Sequence, residues 1–147
     1  MISVLLVDDH ISIQKSLRYM LEATEDIQVV AAASNGVEAI AEARLHCPDV
    51  AVVDISMPVM DGIEAARQIS ALCRSTRVMM LSIYDNPEYV QRALDVGAIG
   101  FILKDAIAKD LLPAIRALSM GKRYFSQKIM EIAQTYMQQR GKDTWAG

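Results

Sequence analysis

Val50-Ala-Val-Val-Asp-Ile-Ser-Met-Pro-Val-Met-Asp-Gly62 is an apolar run that ends on an acid, Asp54. A short segment with one proline follows, and a new helix starts at Asp61-Gly62. A short, valine-rich run without alternation reads as a strand buried on both faces. Open α/β sheets present reactive groups at the carboxyl ends of their strands. Asp54 stands at such an end and reads as a nucleophile that accepts a phosphoryl group. Such an aspartate needs partners, which the rest of the chain has to supply.

On both sides of this stretch the chain alternates. Residues 3–7, 27–33, 77–82 and 100–103 read as further strands, each short and apolar. Residues 11–23, 37–47, 61–73, 87–96 and 110–120 carry apolar residues at helical spacing. Pro48 stops the second helix, Pro87 opens the fourth, and Gly97 and Gly121 close the fourth and fifth. Pro113 is expected in the first turn of the fifth helix, where a missing N–H costs little. Five strands alternating with five helices predict an α/β fold: a parallel sheet covered on both faces, with right-handed crossovers, of which the flavodoxin-like, doubly wound, five-stranded sheet of order 2-1-3-4-5 is one form.

Composition narrows the function. The 147 residues suit one domain with its own core, and 52% hydrophobic with 22% charged residues excludes a disordered chain. A net charge of -3 argues against nucleic-acid binding by general electrostatics. No apolar run reaches membrane-spanning length, and the N-terminus lacks the basic region of a signal peptide. Cys47 and Cys73 lie near helix ends and outside any CxxC pair, so they read as reduced thiols of a cytoplasmic protein.

The strand ends carry the chemistry. The first strand stops at Asp8-Asp9, the third at Asp54, the fourth at Ser82 and the fifth at Lys104. In the order 2-1-3-4-5 these four ends are neighbours, with the switch point between strands 1 and 3. Three carboxylates together repel one another unless a cation joins them. Oxygen ligands favour a hard cation such as Mg²⁺. The metal and Lys104 would neutralise an incoming phosphoryl group, and phosphoryl transfer runs largely on positioning and charge. Asp8-Asp9 as plain caps of the first helix is the competing reading. His10 reads as a surface residue near the pocket, Asp61 as a helix cap, and Met79 and Met80 as core.

Leu6-Val-Asp-Asp9, Asp54-Ile-Ser-Met-Pro-Val-Met-Asp-Gly62, Leu81-Ser82 and Gly100-Phe-Ile-Leu-Lys104 together resemble the receiver domain of two-component response regulators. Gly121-Lys-Arg-Tyr-Phe-Ser126 and Phe101-Ile-Leu-Lys-Asp-Ala106 are similar to the NarL/FixJ class. The resemblance implies that a sensor histidine kinase phosphorylates Asp54. It implies that Asp9, Asp54 and the Ser56 carbonyl hold Mg²⁺, with Asp8 acting through metal-bound water, and that Lys104 pairs with the phosphoryl group. The Ser82 hydroxyl would move towards the phosphoryl oxygen and Phe101 would turn inward behind it. Lys104-Asp105 departs from the family's frequent Lys-Pro. Ile83 stands where the family usually has a small residue, and would narrow access to Asp54.

Residues 1–121 are therefore expected to form the receiver, and 122–147 a linker and C-terminal helix. Residues 127–140 carry a broad apolar stripe, and the stretch from Gly141 to Gly147 is too short for a helix-turn-helix output domain. The class implies homodimerisation on phosphorylation, and DNA contact only through an output domain absent from this chain. The alternatives are a stand-alone receiver acting by protein contacts, a pseudo-receiver, and an aspartyl-phosphate phosphatase. The last needs a second acid two residues after the nucleophile, where Ser56 stands.

Overall fold

The computed structural model describes residues 1–57 and 59–146, with backbone only for 141–146, so Pro58 and Gly147 lie outside the described residues. The strands are β1 (Ile2–Val7), β2 (Ile27–Ala33), β3 (Val50–Asp54), β4 (Arg77–Ser82), β5 (Gly100–Leu103) and β6 (Tyr124–Phe125). The helices are α1 (Ile11–Glu22), α2 (Gly36–His46), α3 (Gly62–Leu72), α4 (Pro87–Asp95), α5 (Ile107–Ser119) and α6 (Gln127–Ala146). The sheet is parallel and ordered β2-β1-β3-β4-β5-β6.

Every residue of β3 is buried, because both faces of the sheet are covered. Ala51 and Val53 join one core with Ile63, Ile69, Val90 and Ile129, under α2, α3, α4 and α6. Val50 and Val52 join the other with Leu17, Leu21, Leu111 and Ile115, under α1 and α5. A continuous apolar strand is what two covered faces require. Met79 and Met80 fill these two cores, one each, as ordinary packing.

The sequence expectation of five strands is one short. Gly121, at φ 76°, turns the chain back after α5, and Tyr124 N–H donates to the Ile99 carbonyl at 3.0 Å. A two-residue strand carries too little periodicity to declare itself in sequence. The fifth helix also starts earlier than expected. A 3-10 turn, Lys104–Ala106, leads directly into α5, so Pro113 lies inside the helix rather than in its first turn. It lacks the N–H that would reach back one turn. The sixth helix continues past Gly141 to Ala146 instead of stopping at residue 140.

Cys47 and Cys73 are joined as a disulfide, which overturns the expectation of two reduced thiols. They cap the C-terminal ends of α2 and α3. Those helices pack side by side on one face of the sheet, so residues 26 apart in sequence meet.

Candidate functional site

Local sequence sets each strand tip. Asp61 Oδ1 accepts the Glu64 N–H at 2.9 Å and starts α3, as its sequence position suggests. Gly62 N–H donates to the Ile55 carbonyl at 2.8 Å, which brings the helix start against the end of β3. A Cβ on Gly62 would collide with the Asp54 carbonyl, so only glycine allows this approach. Asp8 and Asp9 do not cap α1: its N-cap is His10, which makes no side-chain cap bond. Both acids are left for the pocket.

Asp8 and Asp54 are buried, at 0% and 2% exposure, in a sheet whose other buried residues are almost all apolar. The Lys104 ammonium lies 3.2 Å from Asp8 Oδ2 and 3.3 Å from Asp54 Oδ2. Asp54 Oδ1 accepts the Ser56 N–H at 3.3 Å. Asp8, Asp9, His10 and Asp54 each offer a ligand atom within 4.8 Å of the others. Two buried oxygens, Asp9 Oδ1 and Asp54 Oδ2, have no hydrogen-bond partner among the described residues. Buried oxygens in that state ask for a cation. The donor set is mainly carboxylate oxygen, with Asp9, Ser56 and Asp61 bordering an open cleft of about 410 Å³, and it fits a hard divalent cation.

The electrostatics follow. Burial, then the charge of Asp8, pushes the Asp54 carboxyl up to about 6, against the opposing pull of Lys104. Burial alone would lower the Lys104 ammonium, but Asp54 and Asp8 outweigh it and raise it. Lys104 therefore stays charged and Asp54 is poised for added positive charge.

Ser82 is buried at the tip of β4, and its hydroxyl donates to the Tyr84 carbonyl at 3.0 Å and accepts the Tyr84 N–H at 2.8 Å. Phe101 is already inside the core, at 1% exposure. Ile83 is 67% exposed and borders a hollow with Leu103, Asp105 and Lys128. The Lys104-Asp105 peptide is trans.

Sequence reasoning missed Gln14. Its Nε2 donates to the Asp8 carbonyl at 2.6 Å and the Ala33 carbonyl at 3.0 Å, tying the tips of β1 and β2 together. A polar residue on the first turn of α1 is the available signal, and it is a weak one. His10 comes closer than expected: Nδ1 lies 3.1 Å from Asp8 Oδ1 and 3.2 Å from Asp9 Oδ1, although the side chain is 63% exposed.

A family model for the response regulator receiver domain matches residues 4–116. The chain belongs to that family. The receiver is 37% identical over 124 residues to YxjL of Bacillus subtilis, named an uncharacterized transcriptional regulatory protein; the match covers 84% of this chain and 57% of that one. It is 36% identical over 141 residues to the response regulator VraR of Staphylococcus aureus, covering 96% and 68%. A crystal structure of a LuxR-family two-component response regulator from Aurantimonas superposes with a TM-score of 0.86 at 29% identity, covering 92% and 96%. The receiver thus spans little more than half the length of one curated relative and about two thirds of the other. Its relatives are LuxR- and NarL-type regulators, in line with the sequence resemblance, and the fold is the flavodoxin-like receiver fold with one strand added. Among the described residues no helix is long and apolar enough to cross a membrane.

Proposed function

We propose that this receiver accepts a phosphoryl group on Asp54 from the phosphohistidine of a sensor kinase in the cytoplasm. The observation that carries the reading is the buried Asp54 Oδ2 facing the Lys104 ammonium at 3.3 Å. An Asp54 oxygen attacks phosphorus, the P–N bond to the donor imidazole breaks, and that nitrogen keeps the electron pair and takes a proton. Lys104 balances the charge on the phosphoryl oxygens. Asp9, Asp54 and the Ser56 carbonyl would hold Mg²⁺, with Asp8 reaching it through water. When bound, Mg²⁺ supplies positive charge opposite the same oxygens.

Ser82 and Phe101 read the result. The Ser82 hydroxyl would leave Tyr84 for the phosphoryl oxygen, with Phe101 already packed inward behind it. Residues 1–121 act as the phosphoacceptor unit, and 122–147 as the linker and helix that carry its state onward. The name of one relative and the greater length of both support a transcriptional output carried by a segment outside this chain. That segment would bind DNA, in a homodimer formed on phosphorylation. The role is a switch rather than turnover of a substrate, since Ser56 occupies the place of a phosphatase's second acid.

The test is incubation with acetyl phosphate and Mg²⁺, read by intact-protein mass spectrometry. Wild type should gain one phosphoryl group and Asp54→Asn none. Equal labelling of both, or repeated turnover of an organic phosphate, would overturn the reading.

A further inference from the structure

The buried polar residues among those described are Asp8, Asp54, Thr76, Ser82, Asp110 and Ser126. Asp8, Asp54 and Ser82 belong to the pocket, and the Thr76 hydroxyl donates to the Pro48 carbonyl at 2.6 Å. Asp110 and Ser126, at 4% and 2% exposure, remain without an assigned role. A buried carboxylate is costly unless fully hydrogen-bonded, and here it is engaged at both oxygens. Asp110 Oδ2 accepts the Ser126 hydroxyl at 2.8 Å, and Oδ1 accepts the Tyr124 hydroxyl at 2.8 Å.

Ser126 has a second connection. Its Oγ accepts the N–H of Leu103 at 3.0 Å, and its own N–H donates to the Phe101 carbonyl at 3.1 Å. Backbone pairing of β5 with β6 stops at Phe101 and Phe125. The Ser126 side chain thus carries the pairing up to the residue that precedes Lys104. Leu103 N–H can only donate and an Asp110 carboxylate only accept, so the hydroxyl proton is fixed on Asp110. The other side of Ser126 is the start of α6: its carbonyl accepts the N–H groups of Ile129 at 2.8 Å and Met130 at 3.0 Å. From there α6 buries Ile129 and Ala133, and Tyr136 donates to Asp95 of α4 at 2.6 Å.

We propose that Ser126, held by Asp110, is the positioning residue that couples the Lys104 end of β5 to α6. The inference rests on the phosphoacceptor reading of Asp54. When Lys104 follows a phosphoryl group added at Asp54, the backbone at Leu103 moves with it. The Leu103 N–H to Ser126 bond either drags the α6 start along or breaks, and α6 has two arrangements for the two states of the pocket.

The experiment uses the full chain with beryllofluoride and Mg²⁺ as a mimic of the phosphoryl group. Fluorine NMR reports occupancy at Asp54, and hydrogen exchange reports residues 127–140. In wild type, beryllofluoride should change exchange in α6 by roughly fivefold or more, the size usual for linked sites. Ser126→Ala should still give the fluorine signal of bound beryllofluoride, with that change lost. Asp110→Leu keeps the approximate shape but removes both acceptors, leaves the Leu103 N–H its Ser126 acceptor, and should behave alike. A normal fluorine signal with a wild-type α6 response in either variant would overturn the coupling. So would a wild-type α6 that ignores bound beryllofluoride. A wild type that gives no fluorine signal at all, like Asp54→Asn, would overturn the phosphoacceptor reading and the coupling with it.

Discussion

The Lys104 ammonium lies 3.2 Å from Asp8 Oδ2 and 3.3 Å from Asp54 Oδ2, so two buried carboxylates share one cation. Two carboxylates sharing one ammonium also leave the metal-free pocket with excess negative charge, and its consequences are measurable.

The first concerns pH. Asp54 has an ordinary value of 3.8 and is pushed up to about 6 in the fold, by burial and then by Asp8. Between these values the native state holds more protons than the unfolded chain. The contribution of Asp54 to stability therefore falls as pH rises from about 4 to about 6 and is level above, by on the order of 3 kcal/mol. Asp54→Asn should remove that contribution to the slope and be more stable than wild type at neutral pH without metal. Urea unfolding of both proteins across this range is the check, and parallel curves would contradict it.

Removing the lysine should act in the opposite direction. Lys104→Ala leaves Asp8 and Asp54 without their cation and should cost roughly 1–3 kcal/mol in metal-free buffer at neutral pH. Asp54 loses an interaction that holds its proton affinity down, so its titration should move above 6. Carboxyl carbon NMR of Asp54 against pH would show the shift. Added Mg²⁺ should stabilise the variant more than it stabilises wild type.

Gly62→Ala tests the backbone beneath Asp54. The new methyl group would overlap the Asp54 carbonyl and the Ile55 Cα, which are main-chain atoms with nowhere to go. A loss of roughly 3 kcal/mol or more is expected, with weaker metal binding because the tip of β3 must shift. A melting temperature within a degree or two of wild type would exclude the close approach.

The Cys47–Cys73 bond closes a loop between residues 26 apart. Thiol titration of the unreduced, denatured chain should find no free thiol, and reduction should release two. Loop closure of this length predicts that reduction lowers stability by about 3 kcal/mol. Two titratable thiols before reduction would show the bond absent in solution.

The chemistry-bearing residues were legible because of where they fall. A carboxylate or an ammonium at the end of an apolar run reads as a strand tip, and alternation with helices makes the strands parallel. Asp8, Asp9, Asp54, Ser82 and Lys104 stand out on that ground, whereas their roles and the strand order 2-1-3-4-5 rest on the resemblance to the receiver family. Periodicity is also what hid the rest. β6 is two residues long, α5 is entered through a 3-10 turn, and neither leaves a repeat to read.

Distances and pairings were decided by the tertiary structure. That one ammonium meets both Asp8 and Asp54 depends on ångström-scale packing of separate strands. The meeting of Cys47 with Cys73 depends on how α2 lies against α3. Asp110 and Ser126 look like ordinary surface residues in sequence, and become a buried clamp only because β6 adds to the sheet edge. Sequence period reports which way a side chain faces; only the packed fold reports what it touches.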